Sequence, residues 1–166
     1  KKIENKEFEV NLILDKLHDF LCTHIENQIN HGADIVQIFD SWAGLLSAEN
    51  LPNFCYIPNL KIVEFCKSKN IPVICFPRGI NKNYKEFISV VKPHGINIDY
   101  NVDPEWAKAN LKNTVIQGGL NPKILLASKQ EIIKNTKKYL DAFKGLPYVF
   151  NLGHGMLPET DPNKVA

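Results

Sequence analysis

The stretch Ala33-Asp34-Ile35-Val36-Gln37-Ile38-Phe39-Asp40-Ser41-Trp42-Ala43-Gly44 decides the fold class. Its first eight residues are short, largely apolar and β-branched, the pattern of a strand. From Ser41 the pattern breaks, and Gly44 marks a turn at the strand's C-terminal end. Immediately upstream, Val10, Ile13, Leu14, Leu17, Leu21, Ile25 and Ile29 recur three or four residues apart. That spacing predicts one face of a long amphipathic helix, which Gly32 is suited to end.

Downstream the alternation repeats. Residues 58–69 read as a helix through Leu60, Ile62, Val63 and Phe65, followed by a strand at 72–76. A helix over 83–92 leads to a strand at 96–100. Asp103 is placed to cap a helix with Pro104 at its first position, and a strand at 114–117 follows. Ser128-Lys129-Gln130-Glu131 has capping-box spacing and opens a helix to about Phe143, ended by Gly145. The last strand is expected at 148–152. Strands that alternate with helices in this way are parallel and joined by helical crossovers. Periodicity leaves open a doubly wound sheet or a barrel. Neither G-x-G-x-x-G after a strand nor G-x-x-x-x-G-K-[ST] occurs, so the common nucleotide-binding layouts gain no support. A (β/α)₈ barrel takes roughly 250 residues, and the 166 residues here carry five such strands.

Composition excludes some functions. A chain that is 44% hydrophobic and 23% charged is ordinary for one globular domain, and a net charge of +2 with scattered lysines argues against a nucleic-acid surface. No apolar run reaches the ~18 residues of a membrane span, and the polar residues 1–6 lack a signal core. Cys22, Cys55, Cys66 and Cys75 form no C-x-x-C and read as free, buried thiols of a reducing compartment. A cytoplasmic protein is expected. The nine phenylalanines read as core. The chain lacks an initiating Met, and residues 161–166 look like the first turn of a further helix, so both ends read as cut.

In parallel α/β proteins chemistry gathers on the loops after the strands. His154 stands there between Gly153 and Gly155, either as an imidazole on an open ledge that positive-φ or close-packed glycines create, or as a solvent-facing turn. Ser41 offers a hydroxyl to a ligand or caps the next turn. Arg78, the only arginine beside nineteen lysines, attracts an anion or pairs with a neighbouring loop. Asp99 belongs to a polar site or pairs with Arg78 or a lysine. Neither a nucleophile–base dyad nor a metal-ligand spacing is visible among the five histidines and four cysteines.

The loop residues themselves say more. Gln37-Ile38-Phe39-Asp40-Ser41-Trp42-Ala43-Gly44, Phe76-Pro77-Arg78-Gly79, Gln117-Gly118-Gly119-Leu120-Asn121-Pro122 and Asn151-Leu152-Gly153-His154-Gly155-Met156-Leu157-Pro158-Glu159-Thr160-Asp161-Pro162 resemble, in order and spacing, the uroporphyrinogen decarboxylase family. The resemblance covers essentially the whole chain, as the C-terminal part (residues 1–166) of a single (β/α)₈ barrel from the fourth strand to just past the eighth. It implies a homodimer that removes the carboxyl groups of four acetate arms of uroporphyrinogen III, giving coproporphyrinogen III, with neither metal nor organic cofactor. It implies that Ser41 and His154 contact the tetrapyrrole, and that Arg78 stands where a basic residue is common. The family's paired arginines, pyrrole-binding aspartate and neighbouring tyrosine fall in the first three βα units. No catalytic residue of the family therefore maps onto these residues, and the chain alone is expected to be inactive, with exposed sheet edges. Two rivals are a zinc-dependent methyltransferase of the same barrel superfamily, which needs a cysteine near His154, and a non-enzymatic remnant of a split gene.

Overall fold

A computed structural model describes residues 7–165, so the expectation for residues 1–6 and the end of the 161–166 turn lie outside the described residues. The elements run α1 (Glu7–Asn30), β1 (Val36–Asp40), α2 (Ile57–Ser68), β2 (Val73–Pro77), α3 (Tyr84–Val91), β3 (Gly95–Ile98), α4 (Pro104–Asn110), β4 (Val115–Gly118), α5 (Lys129–Ala142) and β5 (Tyr148–Val149). The local signals act as read. Asp103 Oδ1 accepts from Trp106 N, Ser128 Oγ accepts from Glu131 N, and Asp161 caps the short 3₁₀ turn Pro162–Lys164. The second helix starts earlier than Pro58 suggested, because a π-helical turn over Pro52–Tyr56 runs straight into α2. Pro58 has no N–H to return to the preceding turn, and the wider turn accommodates that missing bond. The last strand is shorter than expected. Beyond Val149 only an isolated Leu120–Leu152 bridge continues the pairing, on an edge strand with one neighbour.

The five strands are all parallel, in the order β1-β2-β3-β4-β5. A doubly wound sheet reverses its order at a switch point, and this sheet never does. Successive crossovers of one hand, always stepping the same way, put every helix on one face. The burial pattern agrees. The register row Ile38–Cys75–Ile96–Ile116–Tyr148 faces the helices and packs with Ile25, Val63, Cys66, Phe87, Val91 and Phe143.

The opposite face is concave. Gln117 Nε2 donates to Asn97 Oδ1 at 2.9 Å and to Gln37 Oε1 at 3.1 Å, joining β4 to β3 and to β1. In a flat sheet β1 and β4 would lie about 14 Å apart with side chains perpendicular to it. A bond between them requires a rolled sheet. Phe39 and Val149 share this face by two-residue alternation and are 65% and 43% exposed. With Phe20 and Phe150 also exposed, the reading of every phenylalanine as core is corrected. Sequence patterning marks a residue as apolar, not whether another segment covers it. Cys55, Cys66 and Cys75 are buried and Cys22 is half-buried, all four free. No described helix is long and apolar enough to cross a membrane.

Candidate functional site

The loops after β1, β2, β3 and β5 meet at one end of the sheet. At the end of β1, Asp40 is half-buried and accepts from Asn59 Nδ2 at 3.2 Å, with the Cys55 thiol and the backbone N–H groups of Ala43 and Trp42 close enough to favour its charged form. Burial raises its pKa, and these donors pull the other way. The Ser41 hydroxyl does not cap the following 3₁₀ turn. Trp42 holds the cap position without a side-chain bond, and Ser41 makes no hydrogen bond among the described residues.

Arg78 and Gly79 follow β2. Arg78 N donates to Asp40 O at 3.1 Å, and Gly44 N donates to Arg78 O at 2.9 Å. The two loops touch backbone to backbone, since a Cβ on Gly44 would lie 2.8 Å from Gly79. Asp99 is only 1% exposed. Its Oδ2 accepts from Gly79 N at 2.9 Å and Tyr84 Oη at 3.1 Å, and its Oδ1 accepts from Asn101 N at 2.9 Å. Burial, with the Asp99 charge beside it, pushes the Tyr84 hydroxyl well up, so the phenol stays protonated and donates. Neither alternative for Asp99, a pair with Arg78 or with a lysine, is realised. Its carboxylate is a knot between the loops after β2 and β3. The Arg78 guanidinium makes no hydrogen bond or ion pair among the described residues, so the salt bridge weighed for it is absent.

Ser41, Trp42, Arg78, Asp99 and Asn101 line one cleft of about 240 Å³. His154 is not in its lining. It stands beside it, near enough for Arg78 to lower its pKa, and is itself exposed. Gly153 ties the two together. Its N donates to Leu120 O at 2.8 Å, and a Cβ there would lie 2.4 Å from Tyr100 N. Of the two uses foreseen for the flanking glycines, close approach applies to Gly153. Positive φ applies to neither, and Gly155 has open space around it.

His154 Nδ1 accepts from Gly155 N, which makes Nε2–H the neutral tautomer. Burial first, and the Arg78 charge second, depress its pKa below 6.5. The unfolded chain therefore takes this proton first, and whatever stability the neutral ring contributes is lost as pH falls through the window below 6.5. An NMR titration of the imidazole is expected to show a midpoint below that value. Arg78→Gln is expected to move it only part-way back, since burial remains; a midpoint at or above 6.5 would contradict the geometry.

Zinc does not fit these residues. Among the described residues no three His, Cys, Asp or Glu side chains cluster as ligands. Cys55 and Cys75 lie buried, and their thiols are pushed far up, chiefly by burial.

Residues 2–166 match the family described as "Uroporphyrinogen decarboxylase (URO-D)". The chain belongs to the uroporphyrinogen decarboxylase family. Among its relatives, a uroporphyrinogen decarboxylase of Wolbachia sp. subsp. Brugia malayi is 42% identical over 156 residues, 93% of this chain and 45% of that protein. One from Cereibacter sphaeroides is 33% identical over 170 residues, 100% of this chain and 49% of the relative. One from Paracoccus denitrificans is 34% identical over 157 residues, 93% and 46% respectively. The chain thus spans about half the length of the curated uroporphyrinogen decarboxylases it matches.

Proposed function

We propose that residues 1–166 form the C-terminal part of a single (β/α)₈ barrel whose whole protein decarboxylates the four acetate arms of uroporphyrinogen III, with Ser41 and His154 contacting the tetrapyrrole. The observation that carries this is the strand-end cleft, where a Ser41 hydroxyl and an Arg78 guanidinium that have no partner among the described residues stand beside a neutral His154. A polycarboxylate needs such donors and cations. The exposed concave face, with Phe39 and Val149 uncovered, supports further barrel units closing over it.

The chemistry asks for positioning and proton transfer. Protonation of an electron-rich pyrrole carbon creates a cation beside the acetate arm. As carbon dioxide leaves, the C–C electron pair forms an exocyclic double bond and neutralises that cation. A proton added at the methylene carbon and one lost from the ring restore the pyrrole, now bearing a methyl group. The ring is its own electron sink, so the reading needs no cofactor. With a neutral ring, His154 donates from Nε2–H to a substrate oxygen. The paired arginines, aspartate and tyrosine that the family resemblance assigns to the first three units complete the site, in a cytoplasmic homodimer.

Anaerobic incubation with uroporphyrinogen, following the carboxyl count of the product by chromatography, tests the reading. The expected result is no turnover by these residues alone and stepwise loss of four carboxyl groups once they are combined with an N-terminal half. Inactivity of a well-folded combined protein would sink it.

A further inference from the structure

We propose that Arg78 is a substrate-specificity residue whose guanidinium takes one carboxylate arm of the tetrapyrrole, together with Ser41 and Asn101; this rests on the function proposed above. Three donor groups line one cleft without an acceptor among the described residues: the guanidinium, the Ser41 hydroxyl and the Asn101 side-chain amide. The two acids at these strand ends are engaged by other donors and neither is bonded to the guanidinium among the described residues. Asp40 accepts from Asn59, and Asp99 from Gly79 N, Asn101 N and Tyr84. The half-buried arginine therefore carries its charge at the mouth of the site with no carboxylate bonded to it among the described residues. That is a positive potential able to draw an anion in.

The backbone beneath this charge is held from three sides. Arg78 N is bonded to Asp40 O, Arg78 O to Gly44 N, and Gly79 N to Asp99 Oδ2. From this anchored backbone the guanidinium offers two parallel N–H groups to both oxygens of a carboxylate, which a lysine would meet as a point charge. The cleft of about 240 Å³ has room for a carboxymethyl or carboxyethyl arm. A group that binds an arm distant from the reacting pyrrole stabilises ground and transition states alike. Its loss should then appear in KM and leave kcat nearly intact.

The test uses the full-length protein carrying this chain, as wild type, Arg78→Gln and Arg78→Lys. Binding of uroporphyrin, the aromatic octacarboxylate, is read by fluorescence, beside uroporphyrinogen kinetics and thermal midpoints. Arg78→Gln is expected to weaken binding and raise KM by about tenfold to a hundredfold. Its kcat should stay within a few-fold and its thermal midpoint should not change. Arg78→Lys should fall between the two, and the salt dependence of binding should flatten in Arg78→Gln. Unaltered binding by Arg78→Gln, in a wild-type background that turns over uroporphyrinogen, would overturn the subsite and leave the function standing. Neither binding nor turnover by the wild type would overturn both. A fall in thermal midpoint that tracks the loss of binding, without rescue by lysine, would show a structural role instead.

Discussion

Gly153→Ala is expected to destabilise the full-length protein by about 3 kcal/mol or more and to abolish decarboxylation. The added Cβ would sit 2.4 Å from Tyr100 N, 2.8 Å from Asp99 C and 3.0 Å from Tyr100 Cα. All three are backbone atoms of the loop after β3, so no side-chain rotation relieves the clash. The segment has to move out by about an ångström, which breaks the Gly153 N–Leu120 O bond and carries His154 away from Arg78. Urea denaturation and turnover measure the two effects. Gly155→Ala is the control. Its Cβ meets nothing within 4 Å, and its stability should stay within about 0.5 kcal/mol of wild type. Equal behaviour of the two variants would refute the close-approach account.

Asp99→Asn is expected to cost about 2–4 kcal/mol and to slow turnover, although it preserves shape. The carboxylate accepts on both oxygens, from Gly79 N and Tyr84 Oη on one side and from Asn101 N on the other. An amide has one oxygen. In either orientation its NH₂ faces a backbone N–H, leaving a buried donor unsatisfied beside another donor. Released on that side, the loop that carries Arg78 or the loop that carries Asn101 loosens. KM for uroporphyrinogen should rise together with the loss in urea midpoint. A variant as stable as wild type would mean that the knot does not hold the loops.

Much of the fold was legible because its signals are local. Asp103 and Ser128 cap their helices through bonds made three residues away, within reach of a sequence pattern. The strand positions followed from short β-branched runs, whereas periodicity left their order open between a doubly wound sheet and a barrel. In either, the strand-end loops were known to share one end before any distance was available, and Ser41, Arg78, Asp99 and His154 were all on them. Asp40, bonded to Asn59 of the following helix, was missed as a part of the same strand end.

The sequence by itself thus determined the elements, their parallel arrangement, the family and the residues that reach the strand ends, because periodicity, capping and motif spacing are properties of neighbouring residues. Tertiary structure alone decided what those residues do with one another. It showed Asp99 spent on Gly79, Tyr84 and Asn101, not on Arg78, and a Ser41 hydroxyl that caps no turn and bonds nothing among the described residues. It also gave Gly153 its role against Tyr100, and placed Gln37 against Gln117 eighty residues away. Each of these depends on which distant segments the rolled sheet brings within about 3 Å of each other. Such contacts leave no periodic trace in the chain that makes them.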